Sequence, residues 1–137
     1  MGEVRVQVKL SNVADLSAVA AGRLAPDAVR IVEANAMVDT GAVRSFIPQP
    51  LLDRLGIQPL DHMLVEYANG EKQSVALAFG VMFDILDRRT SDDAHVLGDE
   101  VLIGQTLLEK MDLVVDCANR RLFPNPAHPD VAVNKLK

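Results

Sequence analysis

Tryptophan is absent from this chain, tyrosine occurs once, and aromatic residues make up only 4% of the sequence. Proteins that hold unpaired bases need aromatic platforms along a basic groove. The basic groove is missing as well, since 14 Lys and Arg stand against 19 Asp and Glu, giving a net charge of −5 and a pI near 5.1. No nucleic-acid partner is expected. The single cysteine, Cys117, excludes an internal disulfide and reads as a small apolar residue on a strand. No apolar run approaches the roughly 20 residues that cross a bilayer as a helix, and the N-terminus lacks the charged-then-apolar layout of a secretory leader. A cytoplasmic protein with no membrane partner is therefore expected. His62, His95 and His128 lie far apart without ligand-like neighbours, and Asp92-Asp93 and Asp99-Glu100 lack the alternating oxygen donors and glycine of a calcium loop. These carboxylates read as solvated charge, with no metal and no cofactor expected. A serine nucleophile elbow is also missing.

What the chain does have is a core. At 137 residues and 49% hydrophobic, it can bury about two thirds of its unfolded surface as one domain, residues 1–137. Val4, Val6, Val8 and Leu10 alternate with Arg5, Gln7 and Lys9, which predicts a half-buried N-terminal strand over 4–10. Residues 11–27 lose that pattern and read as a loop with a turn of helix around Ala14 to Ala21. Periodicity returns at Val29 and Ile31 and changes phase at Val32, Ala34, Ala36 and Val38, as in a strand with a bulge. Pro48 and Pro50 before Leu51–Leu55, with Gly56 after, outline a short helix. Asn69-Gly70 is a hairpin signal, followed by a long alternating strand from Val75 to Ile85 that bends near Gly80. Arg88 to Asp93 reads as exposed, with strands at 94–97 and 100–103. Leu113–Asp116 and Arg121–Phe123 form a closing hairpin, and Pro124, Pro126 and Pro129 end the sheet in a tail over 124–137. The sum is an all-β, barrel-like domain of short strands with one or two short helices.

The chemistry concentrates at Asp39-Thr40-Gly41-Ala42, placed at the end of Ala36-Met37-Val38 and followed by Ser45-Phe46-Ile47-Pro48. Asp-Thr-Gly by itself also makes ordinary turns. A second motif narrows the choice: Val101-Leu102-Ile103-Gly104-Gln105-Thr106-Leu107-Leu108, an apolar strand ending in glycine that opens a helical turn. Together, from about Val29 to Phe123, the chain resembles the retropepsins, the retroviral-type aspartic proteases, and their single-domain bacterial relatives in clan AA.

The resemblance implies a closed barrel with one half-site per chain, completed in a homodimer that hydrolyses a peptide or protein substrate. Asp39 is then the catalytic residue, sharing one proton with its mate around a water, because two like charges about 3 Å apart cannot both ionise. By the same resemblance Thr40, Gly41, Ala42, Ile103 and Gly104 support the site. Thr40 interlocks with the partner's backbone with its methyl packed inside, and Tyr67, Asn69 and Gly70 form a flap. Phe46, Ile47, Leu102 and Ile103 line subsites or core, core being favoured. Retroviral members carry an acidic residue after the first motif and a basic one after the later glycine, where this chain has Val43 and Gln105. The competing reading is a weak or inactive module of the same fold that binds peptides or dimerises.

Overall fold

The computed structural model describes residues 3–136. Strand β1 (Val4–Asn12) lies antiparallel to β2 (Ile31–Val38), with Val4 opposite Val38 and Ser11 opposite Ile31. Helix α1 (Val13–Ala20) and a 3-10 turn (Pro26–Ala28) fill the connection. Then come β3 (Ser45–Ile47), α2 (Gln49–Leu55), β4 (Asp61–Glu66), β5 (Lys72–Ile85), β6 (Arg88–Val96), β7 (Leu102–Ile103) and α3 (Gln105–Met111). A separate two-stranded sheet, β8 (Leu113–Asp116) with β9 (Arg121–Pro124), completes the order.

Six strands close a ring, β1-β2-β7-β3-β6-β5, because β5 also pairs with β1 from Lys9–Asp84 to Asn12–Val81. β4 hangs outside the ring on β5. One strand can serve β4, β6 and β1 only if it curves. The register of β5 on β6 shifts between Ala78 and Val81, where Gly80 adopts φ +79°. A bulge with a left-handed glycine is the cheapest way to bend a paired strand. Leu10, Val32, Ile47, Leu52, Leu55, Phe83, Ile85, Ile103 and Leu107 fill the interior at no more than 1% exposure. Burial of each such side chain is worth about 1.5–3 kcal/mol relative to exposure.

The closed barrel and the hairpins follow the sequence expectation. Five details differ. Ser11 and Asn12 continue β1 instead of starting a loop, and both are buried. The polarity of Asn12 is accommodated, its amide donating to Leu55 O at 2.8 Å and its oxygen capping α1 by accepting from Asp15 N–H, whereas the Ser11 hydroxyl is sealed without a partner among the described residues. No bulge interrupts β2, because Val29 lies outside it and Ile31 is an exposed first residue. β6 runs unbroken from Arg88, and Arg88 is buried at 5% exposure, donating to the carbonyls of Met111, Asp112 and His128. A third α-helix, α1, adds to the one or two expected. Cys117 is exposed in the turn between β8 and β9, not on a strand.

Candidate active site

β2 delivers Asp39, and β7 runs parallel beside it, pairing Met37 with Leu102 and Val38 with Ile103. The Asp39 N–H continues this ladder by donating to Ile103 O at 2.9 Å. The chain then turns on itself: one Asp39 carboxylate oxygen, Oδ1, accepts from Gly41 N–H at 2.9 Å, and Ala42 N–H donates to Asp39 O at 3.2 Å. An aspartate reaching the amide two residues on is the local bond that makes Asp favourable in tight turns.

Gly104 fixes the back of this loop. A Cβ there would stand 2.6 Å from Arg44 C and O and 3.0 Å from Ala42 O, so only glycine permits the approach. The Gly104 N–H donates to the buried Ser45 hydroxyl at 3.0 Å, while Gln105 and Thr106 N–H donate to Ala42 O and Val43 O at 2.7 and 3.1 Å. The free N–H groups of the first turn of α3 are therefore met by the Asp39 loop. Two motifs distant in sequence form one hydrogen-bonded unit.

Asp39, Gly41 and Ala42 open onto a cleft of about 780 Å³ whose other walls include Arg44, Phe46, Met63, Leu64, Tyr67, His95 and Leu102. Ile103 and Gly104 are buried behind it. Alternation along short strands divides the four residues that could have been pocket or core: Phe46 and Leu102 face the cleft, and Ile47 and Ile103 are fully buried. Thr40 is exposed, so its methyl has no inward packing within one chain. Tyr67 and Ala68 border the cleft, whereas Asn69 and Gly70 form the exposed tip of the β4–β5 hairpin, held by Tyr67 N–H to Glu71 O and Gly70 N–H to Tyr67 O at 2.8 and 2.9 Å.

His95 and Arg44 belong to the cleft although no local sequence pattern marks them. His95 sits on β6 opposite Phe46 of β3, with ring centroids 5.1 Å apart, and burial, followed by the Arg44 charge, disfavours its protonated form. Only the parallel β3–β6 pairing brings these residues together, and no local pattern reveals a partner so far along the chain. His62 is exposed on β4, and His128 binds Asp112 through Nδ1 at 2.6 Å. Asp92 is not the solvated charge expected from the sequence: its side chain is almost buried, one oxygen accepting from Lys110 at 3.0 Å and the other sealed without a partner among the described residues, whereas the half-exposed Glu100 pairs with Arg5 at 2.8 Å. Among the described residues no three or more His, Cys, Asp or Glu are grouped to hold a metal, and no helix is long and apolar enough to cross a membrane.

No match is found among curated proteins. Among solved structures the chain is similar to a foamy viral protease-reverse transcriptase determined in complex with an RNA/DNA hybrid, at 16% identity and a TM-score of 0.48. That alignment covers 75% of this chain and 11% of the viral one, so the chain spans about a tenth of that protein's length. The sequence profile described as gag-polyprotein putative aspartyl protease matches residues 29–110, which takes in both motifs and the hairpin between them. With well over half of its length matched, and with the Asp39 loop strapped to Gly104 on a closed barrel, this chain belongs to the retropepsin-like, retroviral-type aspartyl protease family.

Proposed function

We propose that the protein is an aspartic endopeptidase that works as a homodimer, each subunit contributing Asp39 to a shared dyad. One observation carries this reading. Asp39 opens onto a peptide-sized cleft with one carboxylate oxygen held by its own loop and the other without a partner among the described residues. The deprotonated member of such a pair takes a proton from water as it attacks the scissile carbonyl. The protonated member donates to the developing oxyanion. The β4–β5 hairpin, carrying Tyr67, covers the bound segment and excludes water.

The test is cleavage of a mixed peptide library at mildly acidic pH, with and without a statine-type inhibitor, alongside sedimentation of the protein alone. Cleavage blocked by the inhibitor, in a protein that sediments as a dimer, is the expected result. A strict monomer at high micromolar concentration that no inhibitor dimerises removes the reading. Inhibitor-free binding of peptides by a dimer that never cleaves them leaves a binding module of the same fold.

A further inference from the structure

Among the described residues the cleft contains one cation, Arg44. Among the described residues no carboxylate forms an ion pair with it. Its guanidinium instead donates through Nη1 to the thioether of Met63 on β4, at 3.0 Å. A thioether is a weak acceptor, and a guanidinium has five donors. The other charges on the cleft wall are accounted for differently: Glu100 pairs with Arg5 at 2.8 Å and Glu66 with Lys72 at 3.9 Å, while Asp39 and Asp99 carry no ion pair among the described residues.

Beside Arg44 stands a second unsatisfied group. His95 is 7% exposed, and its Nδ1 is buried with no hydrogen-bond partner. A sealed N–H without an acceptor is rarer in folded proteins than a sealed acceptor, so the proton is placed on Nε2, the nitrogen left to the cleft that His95 lines. The Phe46 ring packs against the imidazole and limits its rotation. Arg44, His95 and Phe46 thus present a guanidinium, an N–H and an apolar wall side by side.

We infer that Arg44 and His95 form a subsite for an acidic side chain, Asp or Glu, of the bound peptide, close to the bond that the Asp39 dyad cleaves. The inference rests on the peptidase reading for its substrate but not for its chemistry. A carboxylate entering beside Arg44 displaces the thioether, takes a charge-assisted and potentially bidentate pair, and accepts from the His95 N–H. An isosteric amide cannot match it, because the guanidinium is then left without its counter-charge.

The test compares peptides that differ only by Glu against Gln at each position flanking the cleaved bond. At one position, kcat/KM for Glu is expected to exceed that for Gln by about tenfold or more, the ordinary value of a charge-assisted bond in a partly desolvated site. Arg44→Gln brings that ratio to near one. Arg44→Glu brings it below one, through like-charge repulsion, and His95→Phe lowers it by a smaller factor. No Glu preference at any position, or a preference that survives Arg44→Gln, overturns the inference. So does an Arg44→Gln protein that sediments as monomer, since the guanidinium then braces the subunits.

The same Glu and Gln peptides, labelled and titrated against Asp39→Asn by fluorescence anisotropy, keep the two ideas separate. An Arg44-dependent Glu preference in binding, without cleavage by the wild type, defeats the peptidase reading and supports the subsite. Cleavage without Arg44 dependence does the reverse.

Discussion

Asp39 and Asp112 are each the first residue after a regular element, β2 and α3, and they are treated in opposite ways. Both carboxylate oxygens of Asp112 are in use: Oδ1 takes the Asn125 amide at 2.9 Å, and Oδ2 takes His128 Nδ1 at 2.6 Å and Val133 N–H at 3.1 Å, with the buried Arg88 at 3.9 Å. The Asn125 hydrogen bond, with Val133 and His128 adding to it, holds this carboxyl below the usual range against the effect of burial. Asp39 accepts one bond, from Gly41 two residues on. The first is a knot that ties the C-terminal tail to α3. The second is held in position and left with acceptor capacity for water, substrate or a second subunit. A carboxylate becomes chemical when its scaffold fixes it without satisfying it.

Substituting each side of this contrast should break it in different observables. If the proposed dyad operates, Asp39→Asn has the largest effect: peptide cleavage is expected to fall by at least about 10³-fold, because the general base is lost. The Asn oxygen can still accept from Gly41 N–H, so the urea midpoint should not fall and the dimer should persist on sedimentation. Excess Asp39→Asn chain mixed with wild type should titrate activity away as subunits exchange. Unaltered cleavage by the pure variant makes Asp39 a turn residue like any other and collapses the contrast.

Arg88→Met probes the satisfied side. It removes the donor to three carbonyls and the buried counter-charge of Asp112, and a loss of about 3 kcal/mol in urea unfolding is expected. A loss below about 0.5 kcal/mol, the scale of an ordinary surface substitution, would show that the knot is decorative.

Gly104→Ala links the two sides, since it adds one methyl 2.6 Å from the Arg44 backbone behind the Asp39 loop. Overpacking of this kind costs about 1–3 kcal/mol. The displaced loop should also lower kcat in the molecules that remain folded, which separates it from Arg88→Met.

The smallest effect is in pH dependence. Asp15, bonded through its side chain to Arg30 and accepting from the Arg30 N–H, has its pKa lowered from 3.8 to about 2. A carboxyl that binds its proton less readily when folded stabilises the fold fully above its unfolded pKa and loses that contribution as pH falls through the folded value. Wild type should therefore exceed Asp15→Asn in urea midpoint by a constant amount above pH 4, and the two should converge between about pH 3.8 and 2. Asp112→Asn follows the same sign, with the tail's amide protection from hydrogen exchange as the readout. A wild-type advantage that grows on acidification contradicts both.

Much of this was legible from residues alone. The Asp39 turn, the helix bounded by Pro48 and Gly56, the Asn69-Gly70 hairpin and the bend at Gly80 are each specified by a few neighbouring residues whose backbone preferences do not depend on distant partners. The errors lie where a polar side chain meets the core. Ser11, Asn12 and Arg88 look like loop and surface, yet their backbones pair in β1 and β6, and for Asn12 and Arg88 buried carbonyls across the fold accept the side-chain donors. Composition cannot announce an acceptor that another element will supply.

The sequence by itself therefore determined the chemistry of each turn and which residues carry it: one Asp-Thr-Gly per chain, and one Gly after Leu102-Ile103. Tertiary structure alone decided what those residues face. Closing β5 onto β1 set the curvature, the parallel β3–β6 pairing put His95 beside Phe46, and the alternation of short strands sent Leu102 to the cleft and Ile103 to the core. The physical reason is one of range. Turn and cap preferences act over three or four residues, whereas strand register is fixed by burial summed around the whole barrel, where a shift of one residue exchanges the buried face for the exposed one.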